Sequence, residues 1–293
     1  MAEPRGCRVV VRRSRDRSPP SPTPVVHGDW RAGESLLGVA TRVLGEAGLD
    51  SCEPWAVDLS GTVALLAVDV PDDVATGHLP LVEADDSVHR ALAVPDVRLA
   101  FRAMTRADLA DVVRWTTAPH VARWWDGQSD DVAAAERHYG PALDGRDPTR
   151  MWVVEVNGRS VGFVQDYLIG DHPEFAVLTA QPDAVGLDYA IGEIAWAGRG
   201  TGTRMLWQFL RDVLQPFYAE ATRYFAAPDH RNGASLRVLD KLGFERGVWF
   251  DEPQSDGGVE TMVGCTLDVR RVLGPPTDGG APRADVARSV TRR

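Results

Sequence analysis

Ala197-Gly198-Arg199-Gly200-Thr201-Gly202-Thr203 decides how this 293-residue chain is read. Ala184 to Gly192, just before it, has strand character, and Gly200 to Val213 carries the apolar spacing of an amphipathic helix. Glycines at such a junction let backbone N–H groups approach an anion, and the helix N-terminus adds its dipole. A pyrophosphate-binding turn is the physical expectation. A dinucleotide fold also uses strand, turn and helix, but near the start of a parallel βαβ unit. Here the loop follows a hairpin and several strands, which lowers that reading. Glycines that serve only a tight turn are the bland alternative.

The elements on either side are regular. Val97 to Met104 reads as a strand, and Thr105 with Asp108 gives a capping-box-like start to a helix through Trp115. Ser129 is placed to cap a second helix running to about Leu143. Met151 to Val156, Asn157-Gly158 and Val161 to Leu168 predict a strand, a type I′ turn and a strand. After the glycine loop come a short strand at Tyr224 to Ala227, a helix from Asn232 to Leu242 closed by Gly243, and strands at Gly247 to Phe250 and Glu260 to Val269. The fold class expected is α/β: a mixed, mostly antiparallel sheet flanked by helices.

The block Asn232-Gly233-Ala234-Ser235-Leu236-Arg237-Val238-Leu239-Asp240-Lys241-Leu242-Gly243-Phe244 follows the phosphate loop. Together with the hairpin and the strand before the loop, it resembles the GNAT acyltransferase superfamily over about residues 97–270. Within that superfamily the likeness is to aminoglycoside 6′-N-acetyltransferases. It rests on His120-Val121-Ala122-Arg123-Trp124-Trp125-Asp126-Gly127, on Gly162-Phe163-Val164-Gln165-Asp166-Tyr167, and on Gly186-Leu187-Asp188, ten residues before Gly198. Siderophore-pathway lysine N-acyltransferases are similar in layout, including a Trp-Trp segment.

The resemblance implies acetyl-CoA as co-substrate, wedged between two splayed strands, with no metal. It implies that Ala190, Ile191, Gly198, Arg199, Gly200, Thr201, Gly202, Thr203, Asn232 and Ser235 contact the cofactor. Two departures stand out: Ala197 where a Gln or Arg commonly opens the loop, and Leu239 where many members place a tyrosine that protonates the departing thiolate. A thiol with a pKa of about 8.5 leaves passably unaided, so water or the Tyr189 hydroxyl is expected to suffice.

An ammonium cannot attack a thioester until it loses a proton, and a carboxylate in the strand cleft can bind it and accept that proton. Asp188 is the candidate; Glu193 is a second candidate base or a structural residue. Between Asp166 and Gly198 stand six acidic residues (Asp166, Asp171, Glu174, Asp183, Asp188 and Glu193) and no Lys or Arg. Such a field suits a polyamine, although most charge runs are simply solvated. Trp124, Trp125, Gln165, Asp166, Asp171 and Asp188 are the expected acceptor contacts. The tryptophans could equally pack a helix end, and His172 could relay a proton or merely be exposed.

The net charge of −10 argues against a nucleic-acid binder. No apolar run approaches the ~18 residues of a membrane helix. Cys7, Cys52 and Cys265 lack metal or redox spacing, so a cytoplasmic, disulfide-free monomer or homodimer is expected. Residues 1–25, with Ser18-Pro19-Pro20-Ser21-Pro22-Thr23-Pro24, are expected to be a disordered leader. Residues 26–95 are expected to form a small α/β extension of unknown role, 96–272 the acyltransferase domain, and 273–293 a disordered tail.

The function expected is acetyl transfer to a primary amine of a small cationic, aminoglycoside-like acceptor. The alternatives are a siderophore-type lysine N-acyltransferase using a longer acyl-CoA and a non-catalytic acyl-CoA-binding regulator.

Overall fold

The computed structural model describes residues 5–13, 22–125, 131–254 and 257–275. Twelve strands and ten α-helices follow one another along these residues. The first part holds β1 (Gly6–Arg13), β2 (Thr23–Asp29), α1 (Leu36–Glu46), β3 (Pro54–Asp58), β4 (Val63–Val70), β5 (Leu81–Val82) and α2 (Asp86–Ala93). The second begins with β6 (Leu99–Ala103), α3 (Leu109–Thr116), α4 (Pro119–Ala122), α5 (Val132–Leu143), β7 (Arg150–Val156), β8 (Arg159–Leu168), α6 (Pro173–Thr179) and β9 (Val185–Ile191). It ends with α7 (Thr201–Phe209), α8 (Gln215–Phe217), β10 (Arg223–Ala226), α9 (Gly233–Lys241), β11 (Glu245–Pro253), β12 (Val259–Asp268) and α10 (Val269–Val272).

The second part is built on a seven-stranded sheet of order β11-β12-β10-β9-β8-β7-β6. Every neighbouring pair is antiparallel except β9 with β10. This is the mixed, mostly antiparallel sheet expected from sequence. Asn157 and Gly158 both take positive φ (52° and 77°), as the type I′ turn between β7 and β8 requires. The capping box at Thr105 and Asp108 is present. The cap of α5 is Asp131, whose side chain accepts from the Ala134 N–H; the expected cap, Ser129, lies outside the described residues.

The expectation of a disordered leader over residues 1–25 needs correction. Gly6–Arg13 is an inner strand of a second sheet, ordered β3-β4-β1-β2-β5, parallel to β4 and antiparallel to β2. Val9, Val10 and Val11 are buried there, and three consecutive β-branched residues are strong strand formers. Arginines on both sides and the prolines beyond hide this run in a composition-based reading. Residues 14–21 and 276–293, where most of the Ser-Pro tract and the expected tail fall, lie outside the described residues.

The two parts share one core. Trp207 of α7 is fully buried and donates its indole N–H to the Pro54 carbonyl at 3.1 Å. The Leu59 N–H donates to the Lys241 carbonyl at 2.7 Å. The extension therefore covers the outer faces of α7 and α9, apolar stripes that would otherwise meet water. The opposite face of the large sheet is filled by Trp115, Phe163, Val153 and Tyr139 under α3 and α5. Among the described residues no helix is long and apolar enough to cross a membrane.

Candidate active site

β9 and β10 pair only through Val185 with Tyr224 and Gly186 with Phe225. Beyond that the two strands part, and Leu187 to Ile191 line a cavity of about 920 Å³ together with Ala226 at the end of β10 and Ala227 to Asp229 after it. A parallel pair that stops after two residues leaves backbone polar groups of β9 facing the gap, and these need a partner.

At one end of the cavity lie Ala197, Gly198, Gly200, Gly202 and Thr203, with Asn232, Ser235, Arg237 and Lys241 from α9 opposite. Gly198 (φ +73°) and Gly200 (φ +82°) are left-handed, a conformation that side-chain-bearing residues enter at a cost. The turn thus brings the N-terminus of α7 to the cavity with its unpaired N–H groups forward, and Arg237 and Lys241 add positive charge at the same end. That donor set fits a pyrophosphate.

At the other end stands Asp188, half-buried in the cavity wall. Its Oδ2 accepts from Gln165 Nε2 at 2.9 Å and from the Tyr167 hydroxyl at 3.1 Å. Both donors come from β8, where Gln165 lies directly opposite Asp188 in the register. Burial pushes the Asp188 carboxyl above the usual range, while the hydrogen bonds from Gln165 and Tyr167 pull it back. Trp124, Trp125, His120, His138 and Phe175 complete this end.

The family model described as an acetyltransferase (GNAT) domain matches residues 104–251. The chain belongs to the GNAT acetyltransferase family. As a GNAT N-acetyltransferase it takes its acyl group from acetyl-CoA. The chain is 31% identical over 151 residues to the L-2,4-diaminobutyric acid acetyltransferase of Nocardia farcinica (strain IFM 10152), covering 51% of this chain and 72% of that protein. Two solved structures are similar over the same part. One is aminoglycoside acetyltransferase AAC(6′)-Ib in complex with coenzyme A: TM-score 0.49, 23% identity, 59% of this chain and 96% of that chain. The other is the aminoglycoside N(6′)-acetyltransferase of Legionella pneumophila: TM-score 0.47, 20% identity, 60% and 94%.

In this GNAT domain the residues expected from sequence separate into two groups. Asp188, Ala190, Ile191, Gly198, Gly200, Gly202, Thr203, Asn232, Ser235, Trp124, Trp125 and Gln165 all line the cavity. Asn232 also caps α9, its side chain accepting from the Ser235 N–H at 3.1 Å. The Trp125 indole donates to the Tyr139 hydroxyl at 3.1 Å and packs edge-on against Phe163, so it is partly a packing residue. Arg199 is exposed outside the lining, and the Thr201 side chain is buried in the first turn of α7 rather than turned to the cavity.

Three acidic candidates are corrected. Asp166 is fully buried on the far face of β8, where Arg150 donates to it from Nε at 2.7 Å and pairs with it through Nη2 at 2.6 Å, and the Trp152 indole donates at 2.7 Å and the Tyr218 hydroxyl at 2.9 Å. Successive strand residues point to opposite faces, so Gln165 and Asp166 cannot both face the acceptor. Glu193 receives Arg114 and the Trp115 indole, which hold its carboxyl below the usual range, and it does not line the cavity. Asp171 is exposed and outside the lining, while its neighbour His172 is in it. Of the six acidic residues between Asp166 and Gly198, only Asp188 reaches the cavity.

Sequence reasoning missed Tyr167, His120 and Glu252. Tyr167 was recoverable, being two residues from Gln165 on the same strand face. The His120 Nε2 lies 2.9 Å from the Ile191 carbonyl, a contact between α4 and β9 that no local pattern announces. Glu252 enters from β11, far along the chain. Leu239 is fully buried in the core and does not line the cavity, whereas the Tyr189 hydroxyl does, 2.7 Å from the Ser235 hydroxyl.

Proposed function

We propose that this acetyltransferase acetylates a primary amine of a small cationic acceptor by direct attack within a ternary complex, with Asp188 as the group that receives the amine. The observation that carries this reading is the Asp188 carboxylate held by Gln165 and Tyr167 in the gap between β9 and β10. An acceptor ammonium entering there meets a carboxylate whose raised pKa makes it a better proton acceptor than a surface aspartate.

Asp188 takes the proton, directly or through water, and the freed amine nitrogen attacks the thioester carbonyl carbon. Backbone N–H groups on the open edge of β9 stabilise the oxyanion. The attacking nitrogen gives up its second proton to water, the carbon–sulfur bond breaks, and the neutral amide leaves with its new carbon–nitrogen bond. The thiolate takes a proton from water or from the Tyr189 hydroxyl, which water then reprotonates. Burial raises the Tyr189 pKa, so the hydroxyl is protonated and able to donate at neutral pH. The phosphates of acetyl-CoA are held by the amides of Gly198 to Thr203, with Asn232 and Ser235 along the arm.

A diamine amino acid, as in the name of the Nocardia relative, and a polyamine sugar both present such an amine, and the acidic cavity end suits either. A thiol-release assay tests the reading. Purified protein receives acetyl-CoA or a long-chain acyl-CoA with 2,4-diaminobutyrate, kanamycin, hydroxylysine or no acceptor. Acetyl-CoA-dependent release with a primary amine is expected, together with an acetylated amine in the product by mass spectrometry. Release only with hydroxylysine and the long-chain donor would instead support the siderophore-type reading. Measurable coenzyme A binding with no release for any amine would sink the acceptor assignment.

A further inference from the structure

The N-terminal extension grips the acetyl-CoA loop from behind. Arg204 lies in the first turn of α7, its N–H donating to the Gly200 carbonyl at 3.1 Å. Its side chain points away from the cavity and crosses into the extension. There Nη2 meets Asp69 Oδ2 at 2.7 Å, Nη1 donates to the Pro95 carbonyl at 3.1 Å, and the guanidinium lies 4.7 Å from the centre of the Trp55 ring. Asp69 also accepts the Trp55 indole N–H at 3.1 Å and lies 3.2 Å from Arg12 Nε. Arg12 in turn rests 5.1 Å from the Trp55 ring and donates to the Ala91 carbonyl at 2.9 Å.

A second contact falls on the loop itself. Val94, buried at the end of α2, fills the space beside Gly200: a Cβ placed on that glycine would sit 2.8 Å from Val94 Cγ2. Residues of β1, β3, β4 and the α2–β6 connection thus converge on the one turn whose amides face the cavity.

We propose that the extension is a buttress for the coenzyme A loop, with Asp69 and Val94 as positioning residues that act through Arg204 and Gly200. A glycine-rich turn is entropically costly to hold in one shape. Fixing it before the substrate arrives removes that cost from binding. The Asp69–Arg204 pair is suited to this because both side chains are mostly buried, 18% and 11% exposed, so breaking it takes a charge-assisted bond from a buried network. The role follows for the described residues 5–13 and 22–95: they set affinity for the donor and leave the acceptor end to α3–α6, β8 and Asp188 of β9.

This rests on the reading of Gly198 to Thr203 as the phosphate site, and the test separates the two. In the full-length chain, Asp69→Asn and Val94→Ala are compared with Gly202→Val, which narrows the cleft, its new Cβ standing 3.3 Å from Val238 Cγ2. Calorimetry gives the Kd for coenzyme A, and steady-state kinetics give kcat and the two KM values. Asp69→Asn and Val94→Ala are each expected to raise the coenzyme A Kd and the acetyl-CoA KM about three- to thirty-fold, the range of energetic coupling carried through packed contacts. The acceptor KM and kcat stay within about two-fold of wild type, a split that general destabilisation does not produce. The double variant Asp69→Asn/Arg204→Gln costs no more than the larger single, because both remove one interaction. Unchanged coenzyme A affinity in both Asp69→Asn and Val94→Ala, with Gly202→Val impaired, overturns the buttress. The same holds if kcat and both KM values shift together. Unchanged affinity in Gly202→Val overturns the loop assignment, and the proposal with it. Should Asp69→Asn not fold, Val94→Ala decides alone.

Discussion

Tyr167→Phe isolates one hydrogen bond to Asp188 and leaves the surrounding packing in place. The ring sits edge-on to His172 and Phe175, and Gly186 is bare beneath it: a Cβ there would meet Tyr167 Cε2 at 2.5 Å. Phenylalanine keeps those contacts and removes only the hydroxyl that donates to Asp188 Oδ2 at 3.1 Å. That bond favours the charged carboxylate, so losing it raises the Asp188 pKa further above its ordinary value. A hydrogen bond to a charged acceptor is worth about 1.5–3 kcal/mol, or roughly one to two pH units at 1.36 kcal/mol per unit. The bond is slightly long and Gln165 still donates, so about one unit is the expected shift. The carboxylate is the active form, so the acid limb of kcat/KM should move about one unit to higher pH while the alkaline plateau holds. The assay is thiol release with a saturating acetyl-CoA supply and limiting amine, from about pH 5 to about pH 9. The ionisation of the free amine is the same for both proteins and cannot mimic the shift. An acid limb that stays in place in Tyr167→Phe would refute the assignment of that limb to Asp188.

Asp166→Asn should act on the fold and not on the acceptor. It takes one charged oxygen from a buried set of three donor residues, a change that costs about 3–5 kcal/mol when it strands a buried partner. Thermal melting should fall by on the order of ten degrees, with the acceptor KM unchanged at low temperature. A raised acceptor KM without a drop in melting temperature would return Asp166 to the substrate site. Tyr189→Phe should lower kcat by about ten- to a hundred-fold, less than a full general acid because a thiolate leaves readily. Wild-type kcat in that variant would mean that water protonates the thiolate. Asp188→Asn should stabilise the protein at neutral pH. A folded pKa raised above the unfolded one gives stability that is present below the unfolded pKa and lost as pH rises through the folded value. At about pH 7 the half-buried carboxylate is therefore a cost that the amide avoids, and the advantage should shrink toward about pH 4. A lower melting temperature for Asp188→Asn at neutral pH, measured by calorimetry, would contradict this.

The parts legible in the sequence are those whose physics is local. The Asn157-Gly158 turn requires positive φ at two successive residues, and few other pairs accept that. The glycine loop and the Asn232 cap announce themselves by residue type. What stayed hidden depends on pairing across distance. Asp188 becomes a held carboxylate only because the β8–β9 register sets it opposite Gln165 and beside Tyr167. The acidic run looked like one field, but strand alternation, Arg114 and Arg150 remove Asp166 and Glu193 from it. β1 is an inner strand because β4 and β2 close on both sides of it, and nothing within residues 6–13 records those neighbours.

In the proposed reaction Asp188 is the group that receives the acceptor amine. The most direct measurement is kcat/KM for the best primary amine in wild type and Asp188→Asn, with the coenzyme A Kd of each taken alongside. A fall of about 10²- to 10⁴-fold with unchanged coenzyme A affinity is the predicted result. Turnover within about two-fold of wild type would contradict it, since no other carboxylate between Asp166 and Gly198 lines the cavity.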